Sequence, residues 1–296
     1  MDKLTPENLN PEIYNLFDKY VHSQIDRRQF LRSVGKYTAA GISANSVLAF
    51  LSPNYAEAVQ IAANDERLKT EYIEYDSAKG GGSIKALLSR KAEVKDKLPG
   101  IVVVHENRGL NPHIEDVARR GAIDGFITIA PDALTPLGGY PGNDDDGRAL
   151  QKKRDRNEML EDFIAAYDYL YNHPECNGCI GVVGFCFGGS IANKMAVRIP
   201  GLKAAVPFYG GQPSADEVAL IHAPLLLHYA EQDKRVNAGW PAYEEALKKH
   251  KKEYIVHVYP DVKHGFHNDT TPRFDKPSAS LAWQRSIDFF RQKLVK

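Results

Sequence analysis

From about residue 70 to the end of the chain, short apolar runs alternate with longer amphipathic stretches. The runs have the length of buried strands, and the stretches between them repeat apolar residues at helical spacing. Strands are predicted at 71–75, 84–88, 101–104, 126–130, 180–185, 204–209, 225–229 and 254–259. Helices are predicted at 114–122, 157–171, 190–199, 239–250 and 282–294. This alternation predicts an α/β domain with a mostly parallel central sheet and helices on both faces.

The first two of these strands flank a glycine-rich turn, Gly80-Gly81-Gly82-Ser83, and are expected to form an antiparallel hairpin. We therefore divide the chain near residue 67, into an N-terminal extension (1–67) and an α/β domain (68–296).

In the extension, apolar residues recur at helical spacing. They are Leu9, Ile13, Leu16, Phe17 and Tyr20. The spacing predicts a helical segment before the domain, with an apolar face that packs onto another part of the protein.

A second pattern in the extension points to export. Residues Arg27-Arg28-Gln29-Phe30-Leu31 closely resemble a twin-arginine export motif. A moderately apolar stretch follows at 34–51, and then a small-x-small triplet suited to signal cleavage, Ala56-Glu57-Ala58. The motif predicts a periplasmic or otherwise exported protein that loses its signal at about residue 58.

The charge of the first 26 residues favours a different interpretation of the extension. Acidic residues outnumber basic ones there, which is the wrong sign for a typical signal peptide. The acidic residues are Asp2, Glu7, Glu12, Asp18 and Asp26, against Lys3 and Lys19. The alternative is a cytoplasmic protein whose N-terminal helices dock permanently on the domain.

The composition excludes several classes of protein. Lys+Arg and Asp+Glu both number 38, so no net charge attracts nucleic acid or an anionic membrane. No apolar run approaches the roughly 18 residues of a membrane span. With 43% hydrophobic and 26% charged residues, the chain has the composition of a globular protein, and we expect a monomer or homodimer.

Three cysteines provide no disulfide framework. Cys176-Asn177-Gly178-Cys179 is best interpreted as a turn before a strand, because Asn-Gly is a turn signal. A disulfide between the two cysteines is the alternative if the protein is exported. Together with His173, the two cysteines could resemble a metal site. A structural zinc site usually takes its four ligands from two such pairs, and the sequence has no second pair, so no metal is predicted.

The third cysteine lies in a motif with chemical meaning. Gly184-Phe185-Cys186-Phe187-Gly188 follows a strand and precedes a helix, in the pattern Gly-x-nucleophile-x-Gly of a nucleophile elbow. The turn in such an elbow is so sharp that only small residues are accommodated two positions before and after the nucleophile. Cys186 is then held at a helix N-terminus, where the helix dipole favours a thiolate.

Two partners for this cysteine follow at the ends of later strands. Asp233 comes after the strand 225–229, and His264 comes after the strand 254–259. Nucleophile, acid and histidine in this order is the chain order of α/β-hydrolases. Asp132 is a rival carboxylate, and His257 and His267 are rival imidazoles, with His267 expected to be a supporting or surface residue.

Together these residues resemble the dienelactone hydrolase family over residues 68–294. The matching pieces are His105 to Gly109, Ala130-Pro131-Asp132, Gly184 to Gly189, Asp233, and His264-Gly265-Phe266. The resemblance implies an α/β-hydrolase fold that cleaves a small ester or lactone without a cofactor. It also implies a Cys-His-Asp triad, in which Glu106 holds the resting thiol and helps to deprotonate it.

The expected chemistry assigns a role to each residue. Cys186 attacks the carbonyl as a thiolate and forms a thioester, His264 carries the proton, and Asp233 orients the imidazole. The oxyanion is expected to bind the backbone N–H groups of Phe187 and Asn107. Substrate contacts are predicted for Arg108, Tyr140 and Phe266. For Glu106, a structural ion pair with Arg108 is the alternative.

The sequence departs from the family where the substrate is chosen. Two arginines that clamp a substrate carboxylate in the family are replaced by residues near Pro136 and by Asn268. The acidic run 143–147 would repel an anion, which predicts a preference for neutral esters or lactones. A thioesterase or peptidase on the same scaffold, or a binding protein whose thiol is locked by Glu106, remain alternatives.

Overall fold

The computed structural model describes residues 4–6, 8–38 and 42–295, apart from the side chain of Glu57. Its centre is an eight-stranded sheet in the order β1-β2-β4-β3-β5-β6-β7-β8. The strands are β1 (Leu68–Ser77), β2 (Gly82–Lys91), β3 (Leu98–Val104), β4 (Ile127–Pro131), β5 (Cys176–Phe185), β6 (Ala204–Phe208), β7 (Leu225–Ala230) and β8 (Tyr254–Tyr259). β2 is antiparallel to β1 and β4, and the remaining pairs are parallel. The mostly parallel sheet and the hairpin predicted from the sequence are confirmed.

Helices cover the sheet on both faces. The described helices of the domain are α5 (Pro112–Ile123), α6 (Asp144–Gln151), α7 (Arg156–Asn172), α8 (Phe187–Arg198), α9 (Ala215–Val218), α10 (Lys234–Asn237), α11 (Trp240–Lys249) and α12 (Lys276–Leu294); the extension contributes α1 (Pro11–Val21), α2 (Arg27–Val34), α3 (Ala44–Leu51) and α4 (Tyr55–Ala58). Successive strand residues point to opposite faces. Val102 and Val104 of β3 accordingly pack under α7 and α8, while Ile101 and Val103 pack under α5 and α12.

The acidic run 143–147, for which the sequence analysis predicts no helix, contains the N-cap and first turn of α6. Asn143 caps this helix by accepting a hydrogen bond from the backbone N–H of Asp146. Aspartates in a first turn are stabilised by the helix dipole, so these charges favour the start of a helix. The Cys176–Cys179 segment lies at the start of β5, where Asn177 accepts from the N–H of Cys179, and both cysteines are free. Because these four residues belong to β5, with a β-bulge opposite Leu98 and Gly100, the prediction of a turn before the strand is wrong.

Helices α1 to α3 enclose an apolar cluster of their own. Phe17, Phe30 and Leu51 are almost fully buried in it, and Tyr20 stacks on Phe30 with ring centroids 5.3 Å apart. Asp26 and Gln29 form a reciprocal capping box at the start of α2. The helical segment predicted before the domain is therefore present. Asp2, Lys3 and Glu7, which were counted in the charge balance of the first 26 residues, and the side chain of Glu57 in the predicted cleavage triplet lie outside the described residues.

The described helices include none that is both long and apolar enough to cross a membrane.

Candidate active site

Cys186 lies at the turn between β5 and α8 with a backbone conformation that side chains rarely adopt, φ 57° and ψ −111°. The flanking glycines are required by close backbone contacts. A Cβ on Gly184 would lie 2.0 Å from the carbonyl oxygen of Gly188, and one on Gly188 would lie 2.3 Å from that of Val104. The elbow predicted from the sequence is therefore present, with the thiol at the carboxyl edge of the sheet.

The structure brings the two predicted partners together. Asp233 follows β7 as the N-cap of α10, and His264 lies in the loop after β8. His264 Nδ1 and Asp233 Oδ2 are 2.5 Å apart, and both side chains are buried. A ring nitrogen of His264 lies within 4.8 Å of Cys186 Sγ. Nε2 of His264 is buried and makes no hydrogen bond to any described residue, so it is available to exchange a proton with the thiol.

The rival residues have structural contacts instead. Asp132 accepts hydrogen bonds from the backbone N–H groups of Leu134 and Tyr140, which fixes the loop after β4. His267 is buried and stacks on Phe185, so the expectation of a surface position is wrong. His257 lies within β8, where it stacks on His228.

Glu106 is buried but does not contact the thiol. Its Oε2 accepts a hydrogen bond of 2.9 Å from Asn268 Nδ2 and lies 3.5 Å from Arg108 Nη2. Burial would raise the pKa of Glu106, but Arg108 and other nearby cations outweigh it and lower the pKa. In this geometry Glu106 stays charged as an ion-pair partner, which corresponds to the alternative role foreseen for it.

The side chain that contacts the resting thiol belongs to a residue that no sequence pattern singles out. His22, the residue after α1, has its Nε2 3.3 Å from Cys186 Sγ. Its ring meets that of His264 edge to face, with centroids 4.8 Å apart. His22 Nδ1 is 2.8 Å from the carbonyl oxygen of Asp18, which can only accept, so Nδ1 carries a proton. Arg235 Nη2 lies 2.9 Å from His22 Nε2.

Several contacts hold the extension in this position. Asn107 Nδ2 donates to the carbonyl of Val21 at 2.6 Å. Tyr20 donates its hydroxyl to Asp145 at 2.8 Å, and Arg27 Nη1 is 2.8 Å from the other oxygen of that carboxylate. The guanidinium of Arg273 also lies over the ring of Phe17. These contacts place His22 and Ser23, in the turn between α1 and α2, in the lining of the site.

The electrostatics of the site favour a charged pair. Burial would raise the pKa of the Cys186 thiol, but His264 and then His22 outweigh it and lower the pKa to about 5. Burial would lower the pKa of His264, but Cys186 and Asp233 raise it to about 10. Between these values the thiolate and the imidazolium face each other, which is the reactive form of a cysteine nucleophile.

A cavity of about 760 Å³ leads to Cys186 and is lined by His22, Asn107, Phe187, Tyr209 and His264 among others. Of its described lining residues, seven are cationic and Glu217 alone is acidic. The cationic residues are Arg148, Lys152, Arg154, Arg156, Lys194, Arg198 and Arg235. The cavity therefore has a basic wall.

Three residues predicted to contact substrate do not line this cavity. Arg108 forms an ion pair with Asp144 at 2.6 Å, and Tyr140 donates its hydroxyl to the same carboxylate. Phe266 is fully buried in the apolar core. The structure thus gives these three residues packing and charge-pairing contacts.

A strand-helix elbow, a buried acid-histidine pair and a mostly parallel sheet define an α/β-hydrolase. The model of the dienelactone hydrolase family matches residues 84–294, and a model described as YqhI-like matches residues 1–36. The chain belongs to the dienelactone hydrolase family and is a hydrolase of ester or lactone bonds, as the sequence predicted.

Related proteins agree with this assignment. A protein of Escherichia coli K12 provisionally named hydrolase fragment YghX is 51% identical over 38% of this chain and 97% of its own length. A provisionally named carboxymethylenebutenolidase of the same organism is 30% identical over 72% of this chain and 83% of its own length. A crystal structure from Klebsiella pneumoniae, provisionally a dienelactone hydrolase, is 26% identical, covers 76% of this chain and 99% of its own, and superposes with a TM-score of 0.67.

Proposed function

We propose that the protein hydrolyses small esters or lactones through a thioester on Cys186. One observation carries this proposal: three residues meet at one point. Cys186 lies in a strained turn, a ring nitrogen of His264 lies within 4.8 Å of its Sγ, and Asp233 Oδ2 lies 2.5 Å from His264 Nδ1. Acyl transfer requires a nucleophile, a proton carrier and a group that orients the carrier, and these residues supply them in that order.

In the first half of the reaction, Cys186 Sγ attacks the carbonyl carbon as a thiolate. His264, as imidazolium, then gives its proton to the departing alkoxide as the carbon–oxygen bond breaks. In the second half, neutral His264 takes a proton from water, and the resulting hydroxide attacks the thioester and releases the thiolate. Asp233 keeps the proton of His264 on Nδ1 throughout, so that Nε2 faces the reacting atoms.

Backbone N–H groups are proposed to bind the oxyanion. Phe187 is the first residue of α8, so its N–H has no partner within the helix. Asn107 follows β3 in the facing loop, and both residues line the cavity beside Cys186. Each such donor is worth about 10²–10³ in turnover when it binds the developing charge.

The test is the hydrolysis of p-nitrophenyl acetate and of a small lactone by Cys186→Ala, with Cys176→Ala as the matched control. Cys176 is buried and free but lies at the far end of β5. We expect the first variant to lose at least about 10³-fold in kcat/KM and the second to keep its activity. Turnover by Cys186→Ala at the wild-type rate would exclude the proposed nucleophile.

We also propose that the extension works as part of the folded enzyme, docked on the domain. The contact of His22 with Cys186 and the burial of Phe30, the phenylalanine of the twin-arginine-like motif, support this proposal. Export with cleavage near residue 58 is the competing prediction. N-terminal sequencing and fractionation of the protein from its native cell, in wild type and in Arg27→Lys/Arg28→Lys, decide between them. A mature end near residue 58 that depends on the two arginines would refute a docked role.

A further inference from the structure

His22, Cys186 and His264 place one sulfur and two imidazole nitrogens within 4.8 Å of one another, from three separate parts of the chain. We propose that these residues form a site for a borderline divalent cation, Zn²⁺ above all, and that the bound cation reversibly blocks the nucleophile. Thiolate sulfur and imidazole nitrogen are the ligands that zinc prefers. The site needs the extension, because the domain by itself supplies only two of the three ligands.

The distances are close to those of a bound ion. Zinc takes nitrogen at about 2.0–2.1 Å and sulfur at about 2.3 Å, so tetrahedral ligand atoms lie roughly 3.3–3.6 Å apart. The separation of 3.3 Å between His22 Nε2 and Cys186 Sγ already falls in this range. His264 has to close by about 1 Å, and its buried Nε2 has no partner to give up among the described residues.

Both imidazoles have the supporting contact that metal-bound histidines require. His264 Nδ1 is held by the carboxylate of Asp233 at 2.5 Å, and His22 Nδ1 by Asp18, whose carbonyl is at 2.8 Å and carboxylate at 3.1 Å. Such contacts fix the proton on Nδ1 and leave Nε2 as the ligand. Each histidine thus points the same ring nitrogen toward the sulfur.

Charge near the ligand atoms also suits a cation. The thiolate of Cys186 and the carboxylates of Asp18 and Asp233 bring three negative charges. Arg235 and the buried Arg273 bring two positive charges. The negative charges therefore outnumber the positive ones at this point, which favours a divalent cation.

Arg235 competes with a metal ion for the ring nitrogen of His22. Its Nη2 lies 2.9 Å from His22 Nε2, so whenever that nitrogen is unprotonated Arg235 donates to the electron pair that a metal requires. The Arg235 side chain is 37% exposed, so it can turn into solvent and leave the nitrogen free. Removal of this side chain is therefore expected to tighten metal binding, while removal of His22 weakens it.

The experiment measures binding directly, without substrate. Co²⁺ titrated into the wild-type protein at pH 8 should give a near-ultraviolet thiolate-to-cobalt band, and Zn²⁺ should displace it with a stoichiometry of one. We expect the Zn²⁺ affinity to fall at least about 100-fold in His22→Gln and to rise about tenfold in Arg235→Gln. His222→Gln, at an exposed histidine far along the chain, is the matched control and should bind like wild type.

The opposite signs of the two substitutions separate a lost ligand from a damaged fold, because unfolding cannot tighten binding. Equal affinities in wild type and His22→Gln, a weaker site in Arg235→Gln, or cobalt binding without a thiolate band would each overturn the proposal. Zn²⁺ bound by wild type should also slow the alkylation of Cys186 and inhibit hydrolysis in proportion to its occupancy. If Cys186→Ala retained hydrolysis, the proposed function would fail while the cobalt result still stood.

Discussion

The side-chain amide of Asn107 donates to the carbonyl of Val21 at 2.6 Å, and this hydrogen bond joins the loop after β3 to the end of α1. The same loop carries the backbone N–H proposed to bind the oxyanion. The position of His22, one residue after Val21, is therefore tied to the position of the oxyanion site. We therefore expect that movement of the N-terminal helices changes the geometry of the oxyanion site and, with it, the catalytic activity.

Asn107→Ala tests this coupling. The change removes one hydrogen bond, worth about 1 kcal/mol, but leaves the backbone N–H in place. We expect faster proteolysis between α1 and α2 and a severalfold loss in kcat/KM. Asn177→Ala, which affects an amide at the start of β5, is the control. Unchanged proteolysis together with unchanged kinetics in Asn107→Ala would contradict the coupling.

The two imidazoles beside Cys186 should be visible in the pH dependence of its alkylation. The pKa of the thiol is about 5 in the folded protein, below its ordinary value of 9.0, so the thiolate stabilises the fold above about pH 9 and this contribution is lost as pH falls toward 5. Iodoacetamide labelling of wild type should therefore rise through pH 5. In His22→Gln and His264→Gln the midpoint should move to higher pH, because each substitution removes a group that lowers the pKa.

The order of the two shifts is part of this prediction. His264 affects the thiol more than His22 does, so its variant should show the larger displacement. His222→Gln should label with the wild-type profile. A midpoint near pH 5 in both active-site variants would show that the imidazoles do not set the pKa of the thiol.

Glu106→Gln should damage stability more than reactivity. Glu106 is 2% exposed and faces Arg108, which is also buried, so the substitution leaves a buried guanidinium with fewer negative partners. Loss of one member of a buried pair typically costs about 3–5 kcal/mol, and Asp144 at 2.6 Å from Arg108 should keep the cost at the lower end. Urea unfolding measures the cost, with Glu244→Gln, in a partly exposed ion pair with Lys248, as the control. A stable Glu106→Gln protein with slowed acylation would instead support the gating role.

The substrate preference is expected to differ from the one that the sequence suggested. That expectation depended on Asp144, Asp145 and Asp146, but Asp144 is paired with Arg108, and Asp145 with Arg148 and Arg27. Of the cations that line the cavity, Lys152 and Arg156 have no salt-bridge partner among the described residues. We therefore expect a carboxylate-bearing ester to react with a higher kcat/KM than its neutral methyl ester.

Ionic strength and two substitutions check this preference. The preference should shrink in high salt, since exposed charges are screened. It should also shrink in Lys152→Ala/Arg156→Ala but not in Lys153→Ala, an exposed neighbour that does not line the cavity. Equal kcat/KM values for the two esters at low salt would contradict this prediction and leave the expected preference for neutral substrates standing.

The parts of the site that could be predicted from the sequence are those set by local backbone geometry. The glycines around Cys186 predict the elbow because the close backbone contacts there leave no room for a side chain. Asp233 and His264 could be placed at the same edge of the sheet because each follows the end of a parallel strand. His22 could not be found in this way. It lies 164 residues before Cys186, and its position depends on how α1 docks, which no spacing or motif encodes. Helix α6 was missed because its capping residues also resemble a loop.

The separation of His22 from its partners also has a consequence for how the protein is made. Helices α1 and α2 leave the ribosome before the α/β domain does, but Asp18 meets Arg235 only after 217 further residues have followed. Closing so long a loop is entropically costly before the sheet exists, so docking of the extension is expected to be a late step of folding. During synthesis and refolding there should therefore be an interval in which Cys186, His264 and Asp233 are assembled but uncovered. In that interval the nascent enzyme would be most exposed to oxidants.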